Sequence, residues 1–65
     1  MTAEYDRETD TLTITLRDAR VKESDEIRPG VIADLGYDGS VVGFEILRAS
    51  KIVEDAGEMQ FAVAG

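Results

Sequence analysis

Cysteine and histidine are both absent from this 65-residue sequence. Their absence excludes disulfide bonds, zinc sites built from those residues, and nucleophilic catalysis by a Cys–His or Ser–His pair. Small domains usually rely on a disulfide, a metal or a second chain, because a short chain buries too little of its own surface. With disulfides and such zinc sites excluded, we expect a homo-oligomer, most simply a dimer.

Long apolar runs are also absent. No stretch approaches the roughly 18 apolar residues of a membrane span, and the acidic start MTAEYDRETD lacks the apolar core of a signal peptide. We therefore expect no membrane partner. The lack of cysteine fits a reducing compartment, so the sequence favours a cytoplasmic protein.

Positive charge is scarce, with 7 basic residues against 14 acidic ones and a formal net charge of −7. A surface of this sign repels nucleic acid, and two Phe with two Tyr are too few for a base-stacking platform. The acidic surface could bind a basic protein partner. The interpretation we favour is a charged coat that keeps a small protein soluble.

Alternation of apolar and polar residues predicts three strands before the single proline. Residues 3–6 and 11–17 form a hairpin, with Tyr5 on the same face as Leu12 or Ile14 and with Asp6 or Asp10 bonded to the turn backbone. Residues 21–28 are polar in the middle on both faces. This third strand is expected at a sheet edge, with a bulge.

Two strands follow the turn at Pro29-Gly30, over residues 31–35 and 41–47, and both are apolar enough to be central. In the second strand, Gly43 permits close approach of a neighbouring backbone. Val42, Phe44 and Ile46 share one face. The opposite face, which starts at Val41 and includes Gly43, is expected to be covered in part by a helix or a partner subunit.

The pattern changes after Leu47, where residues 50–56 predict a short helix with Ser50 as N-cap and Gly57 beyond its end. Residues 59–63 alternate again and could add a final strand, to this chain or to a neighbour. The sequence thus predicts one domain over residues 1–65. Its fold class is α+β, an antiparallel β-meander of four to five strands with one short C-terminal helix and a final strand left open.

A calcium-binding loop is the nearest match to a known site. Asp34, Asp38 and Glu45 occupy the first, fifth and twelfth positions of the EF-hand template, but its third ligand position is Gly36. The template also needs flanking helices, whereas strands flank this segment. We therefore favour a β-hairpin in which Gly36 and Gly39 supply positive φ and Asp38 caps the turn.

Other groupings of polar residues favour structural roles over chemistry. The alternating acids from Glu4 to Asp10 are interrupted by a bend at Arg7, and Glu23 with Asp25 reads as solvated edge charge. Ser50 and Lys51 are neighbours that point in different directions on a helix. No catalytic, cofactor-binding or metal-binding residue is assigned, and no enzyme activity or cofactor is expected.

Several short motifs together resemble one small bacterial family, family 2283 of the domains of unknown function (DUF). The most specific is VVGFEILRAS at residues 41–50, close to the usual "VGIEILDAS" of that family, with Phe44 in place of an aliphatic residue and Arg48 in place of an acidic one. The resemblance spans residues 3–52 and is also carried by Tyr5-Asp6, Leu12/Ile14/Leu16, Glu23-Ser24, Pro29-Gly30-Val31, Asp34 and Asp38-Gly39.

The resemblance implies a compact antiparallel sheet with a small helix and no assigned enzyme activity. It also suggests an antitoxin-like or partner-binding role, since some such families are encoded beside small toxin-like partners. From the sequence we expect a non-catalytic, homo-oligomeric protein-interaction module. An acidic, antitoxin-like partner of a small basic toxin is the first alternative, and a calcium-binding protein or carboxylate-based enzyme is the second.

Overall fold

The computed structural model describes residues 1–53, which form one antiparallel sheet and one short helix. The five strands are β1 (Thr2–Asp6), β2 (Thr11–Thr15), β3 (Val21–Arg28), β4 (Val31–Gly36) and β5 (Val41–Leu47), and the helix is α1 (Ala49–Ile52). The predicted strands are confirmed, with β2 ending two residues earlier than expected. The predictions for residues 54–65, including Gly57 and a strand over 59–63, lie outside the described residues.

The strand order in the sheet is β1-β2-β5-β4-β3, with every neighbouring pair antiparallel. The expectation of a simple meander is therefore wrong, although the antiparallel sheet with one small helix is confirmed. The connection over residues 16–20 carries the chain from β2 to the far edge, and β5 returns to pair with β2. In this order β5 pairs with a strand on each of its edges. The central position agrees with the prediction, which was based on apolar residues on both faces of β5.

Two tight turns connect β3, β4 and β5. Gly30 has φ +80°, as the third position of a Pro29-Gly30 type II turn requires, and Gly39 has φ +82°. Asp38 Oδ1 accepts a hydrogen bond from the Ser40 backbone N–H at 3.0 Å, as expected for a residue that caps its turn. The prediction that Gly36 also supplies positive φ is wrong, because Gly36 still belongs to β4.

The helix α1 begins one residue earlier than predicted, and Ser50 is not its N-cap. Arg48 holds that position with φ 50°, and its side chain makes no capping hydrogen bond. A distant carboxylate takes over the function: Asp10 Oδ1 accepts from the Ser50 N–H at 3.0 Å and Asp10 Oδ2 from the Ser50 hydroxyl at 2.7 Å. The Asp10 carbonyl also accepts from the Ala49 N–H at 2.8 Å. The β1–β2 turn therefore fixes where the helix starts.

The core of the described residues is small. Within residues 1–53, Leu12 is the only large side chain that is fully buried, and it packs with Ala3 and Ala49. Tyr5, Ile14, Ile46 and Val53 pack around this cluster and are half-buried. The helix thus lies on the face that carries Ile46. Of the two covers expected for the other face of β5, the helix is therefore wrong, whereas a partner subunit stays a prediction.

Candidate interaction surface

The strand register separates the sheet into two chemically different faces. Residues directly opposite each other on antiparallel strands point to the same side, so each cross-strand row belongs to one face. The first row joins Tyr5, Leu12, Ile46 and Val31, and the second joins Ala3, Ile14, Phe44 and Ala33. We call these eight residues the apolar face.

The helix covers only one half of the apolar face. Ala49 and Val53 pack over β1, β2 and Ile46. On the other half, Val31 and Phe44 are half-buried and lie outside the cluster under the helix. Ile52, the last residue of α1, is 51% exposed, and its Cδ1 atom lies 3.6 Å from the position that a Cβ on Gly30 would occupy. We call Val31, Phe44 and Ile52 the open patch.

The opposite side of the sheet, the polar face, carries hydroxyls and carboxylates. One row joins Glu4, Thr13, Glu45, Ile32 and Glu26, and the next joins Thr2, Thr15, Gly43, Asp34 and Ser24. Neither row contains a basic residue. The side of the sheet away from the helix is therefore acidic.

Asp34 and Glu45 form a carboxyl pair on the polar face. Asp34 is 9% exposed and accepts a hydrogen bond from the Ser24 hydroxyl at 2.7 Å. The pKa of Glu45 is raised, first by its hydrogen bond with Asp34, next by partial burial, and finally by the negative charge of Asp34. When Glu45 is protonated, its carboxyl group can donate a hydrogen bond to Asp34, which would connect β5 to β4.

Gly43 lies opposite Asp34 on β5 and faces the backbone of β2. A Cβ at Gly43 would overlap the backbone carbonyl oxygen of Ile14 on β2, so the predicted close backbone approach is confirmed. Only glycine allows β2 and β5 to lie this close.

Asp10 accepts four hydrogen bonds, which connect its own β1–β2 turn with β1 and with α1. Besides its bonds to the start of α1, its Oδ1 atom accepts from the Tyr5 hydroxyl at 2.6 Å. The hydrogen bond from Tyr5, followed by those from Ser50, lowers the pKa of Asp10, while the same bond to Asp10 raises the pKa of Tyr5. The predicted role of Asp6 is confirmed, because its Oδ1 atom accepts from the Glu8 N–H at 2.9 Å.

The strand β3 forms one edge of the sheet, as predicted, and all eight of its residues are exposed. Its pairing with β4 is irregular at two places, between Val21 and Glu23 and between Glu26 and Arg28. Bulges and charges of this kind discourage another strand from pairing with an edge. Glu23 and Asp25 lie on this exposed strand as separate surface charges.

The residues of the calcium template do not gather at one point. Asp34 bonds to Ser24 on β3, whereas Asp38 bonds to Ser40 and to Arg17, with 2.8 Å between Asp38 Oδ1 and Arg17 Nη2. Their loop joins two strands, so the hairpin interpretation is confirmed. Within residues 1–53, no three carboxylates come together as a metal site would require. The Ser50 hydroxyl donates to Asp10, not to Lys51.

A family model described as "Protein of unknown function (DUF2283)" matches residues 3–50. The match covers most of the chain. This chain belongs to the DUF2283 family. No curated protein and no solved structure matched it.

The part that matches DUF2283 runs from β1 to the second residue of α1, so it contains Asp10 and the Ser50 that Asp10 binds. It also includes both faces of the sheet. The family description assigns no activity. No helix within residues 1–53 has the length and apolar character needed to cross a membrane.

Proposed function

We propose that this DUF2283 chain is a non-catalytic, homo-oligomeric interaction module and that its open patch binds a second copy of the chain. The observation that carries the proposal is the small core: among residues 1–53 one large side chain is fully buried, while Val31 and Phe44 are only half-buried and Ile52 is exposed. Covering these side chains would release their apolar surface from water, the main source of stability in protein association.

The shape of the apolar face favours a second copy as the occupant. The helix rises from the half of the sheet that holds β1 and β2. It does not cover the other half, the open half, where Ala33 is buried but Val31 and Phe44 are only half-buried. In a twofold pair that meets through this face, the helix of each copy would lie over the open half of the other. One self-complementary surface would thus serve both subunits.

The charges around the apolar face support the same arrangement. Lys51 and Arg48 are exposed at the helix, whereas Glu23 and Asp25 are exposed on β3 and face the apolar side by register, opposite Leu35 and Ala33. A twofold pair would bring the basic helix end of one copy toward the acidic β3 of the other. Opposite charges across an interface favour the correct orientation of the partners.

The edge of the sheet is a poorer place for self-association. Three of the four residues from Glu23 to Glu26 are acidic. If the β3 strands of two copies paired antiparallel with their twofold axis at Ser24, at Asp25 or between these residues, a carboxylate of one strand would lie opposite a carboxylate of the other. The proposal therefore assigns association to the open patch and not to β3.

Sedimentation equilibrium at micromolar concentration tests the proposal. We expect the wild type to be a dimer, and we expect Ile52→Glu to weaken dimerisation by at least about tenfold, or ~1.4 kcal/mol. The control is Val21→Glu, which makes the same change at a residue that is 47% exposed at the start of β3. A monomeric wild type, or equal weakening by both variants, would contradict the proposal.

A basic protein partner is the second candidate, and the polar face is the observation that favours it. Glu4, Glu45 and Glu26 share one row without any basic residue, and such a surface attracts a positively charged protein. The test is titration with a small basic protein encoded beside this gene. Loss of binding in Glu26→Lys but not in Glu23→Lys, on the other side of the same strand, would support this antitoxin-like role. For either role, the cytoplasm is the location that we propose.

A further inference from the structure

A shallow cavity outside both faces brings together two arginines and an exposed tyrosine. The segment after β2 and the turn between β4 and β5 enclose a volume of about 290 Å³. Its lining residues are Arg17, Ala19, Arg20, Tyr37 and Asp38. In a chain with a net charge of −7, two of the seven basic residues thus meet at one small cavity.

Both guanidinium groups are held in place by neighbouring side chains. Arg17 Nη2 donates to Asp38 Oδ1 at 2.8 Å and also to the Ser40 hydroxyl, and its Nε and Nη1 atoms have no partner within residues 1–53. The guanidinium of Arg20 lies over the ring of Tyr37, 5.4 Å from its centre, within the range of a cation–π contact. Neither arginine therefore needs to be ordered fully when a ligand binds, which lowers the entropic cost of binding.

The one carboxylate in the cavity is already engaged. The pKa of Asp38 is lowered to about 2, first by the hydrogen bond from the Ser40 N–H, next by that from the Ser40 hydroxyl, and then by Arg17. Asp38 neutralises one of the two arginines and leaves Arg20 with no acidic partner among the described residues. Two guanidinium groups and one carboxylate thus line a cavity on an acidic protein.

We propose that this cavity binds a carboxylate attached to an apolar or aromatic group. The planar N–H donors of arginine match the two oxygens of a carboxylate, whereas Ala19 and the Tyr37 ring offer apolar surface to the rest of the ligand. Tyr37 is 65% exposed, and exposed tyrosine beside arginine is a composition typical of recognition sites. A chain-terminal carboxylate of a peptide and a small aromatic acid share this chemistry.

Benzoate is a suitable probe, followed by backbone-amide NMR of the full chain at low ionic strength, where screening of surface charges is weak. We expect saturable shifts confined to residues 16–20 and 36–41, with millimolar affinity. Three further probes separate the contributions of the ligand's groups: acetate has the carboxylate without the ring, benzyl alcohol has the ring without the carboxylate, and inorganic phosphate is a different anion. Weaker binding of each than of benzoate supports the proposal, whereas equal binding of phosphate would show a general anion site and overturn it.

Arg20→Ala is the decisive variant, because it removes the unneutralised charge and leaves the contacts of Arg17 intact. We expect it to weaken benzoate binding at least fivefold. Arg28→Ala, which makes the same charge change at an exposed residue of β3 away from the cavity, should change the affinity less than twofold. Tyr37→Leu should weaken benzoate binding more than acetate binding. Equal effects of the two arginine variants, or shifts spread over the sheet, would overturn the proposal. Binding of short peptides with a free C-terminal carboxylate is then compared with binding of the same peptides with a C-terminal amide. This comparison distinguishes a peptide ligand from a small acid.

Discussion

The close contact of β2 with β5 predicts that a single methyl group at Gly43 will be costly. In Gly43→Ala the new Cβ would overlap the carbonyl oxygen of Ile14 and lie 3.3 Å from the backbone atoms Ile14 C and Thr15 Cα. All three atoms belong to the backbone of β2, so no side-chain rotation relieves the overlap. The two strands would have to separate where the β1–β2 hairpin joins the rest of the sheet.

The magnitude follows from two opposing effects. Overpacking of this kind costs about 1–3 kcal/mol, and a backbone obstacle places it at the upper end. Alanine restricts the unfolded chain and returns about 0.4–1 kcal/mol. The net loss in free energy of unfolding should be about 2 kcal/mol. For a domain of this size that lowers the melting temperature by about 8–16 °C.

Thermal and urea unfolding at one fixed protein concentration measure this loss, because the stability of an oligomer depends on concentration. Gly39→Ala is the control: no atom lies within 4 Å of its Cβ position, and its φ of +82° costs an alanine about 1 kcal/mol from backbone strain alone. If Gly43→Ala destabilises the protein no more than Gly39→Ala does, the backbones of β2 and β5 do not approach each other this closely.

Three further predictions concern the core, the carboxyl pair and the Asp10 contacts. Leu12→Ala should lower the free energy of unfolding in urea by about 3 kcal/mol, against less than about 1 kcal/mol for Leu16→Ala, because Leu12 is fully buried and Leu16 is 39% exposed. Because the pKa of Glu45 is raised, the folded state binds more protons than the unfolded state above pH 4.5. The free energy of unfolding should therefore fall as pH rises from 4.5 through the pKa of Glu45 in the folded state. Glu45→Gln should abolish this fall. Asp10 and Asp38 have lowered pKa values, so the free energy of unfolding should also fall as pH drops below 3.8. Urea midpoints that rise steadily with pH, both below 3.8 and above 4.5, would contradict these directions of the pKa shifts. Asp10→Asn should lower the pKa of Tyr5 toward its ordinary value, seen as phenolate absorbance in a pH titration with Tyr37→Phe as background, and an unchanged Tyr5 pKa would show that the hydrogen bond contributes little.

Much of the sheet could be predicted because each strand carries a local signal. Alternation located β2, paired turn residues at Pro29-Gly30 located the end of β3, and the polar middle of β3 predicted an edge strand. Local signals could not predict the strand order. The order depends on which distant strands pair after the connection over residues 16–20, and no local pattern specifies this. One clue was present: the apolar residues of β5 required a central position, and a meander would have left β5 at an edge.

The candidate surfaces were predicted less well, because both depend on register between distant strands. The absence of disulfides and zinc sites predicted a homo-oligomer, but it could not locate a surface for association. The open patch that we propose for it depends on where the helix lies. Asp34 and Glu45 drew attention as members of a calcium template, whereas the structure brings them together as a carboxyl pair across β4 and β5. The Arg17–Asp38 contact joins residues 21 positions apart and had no local signal.

The start of α1 shows most clearly why local rules fail at one point of this fold. A serine at the beginning of a helical pattern is the usual N-cap, and a hydroxyl can satisfy an open backbone N–H only if it lies just before the first turn. Here Ser50 is already inside the helix, and the N–H groups of Ala49 and Ser50 are satisfied by Asp10, about 40 residues earlier. Because the same carboxylate binds Tyr5, the position of the helix depends on the β1–β2 turn. The turn therefore decides which half of the apolar face the helix covers, and with it where the open patch lies.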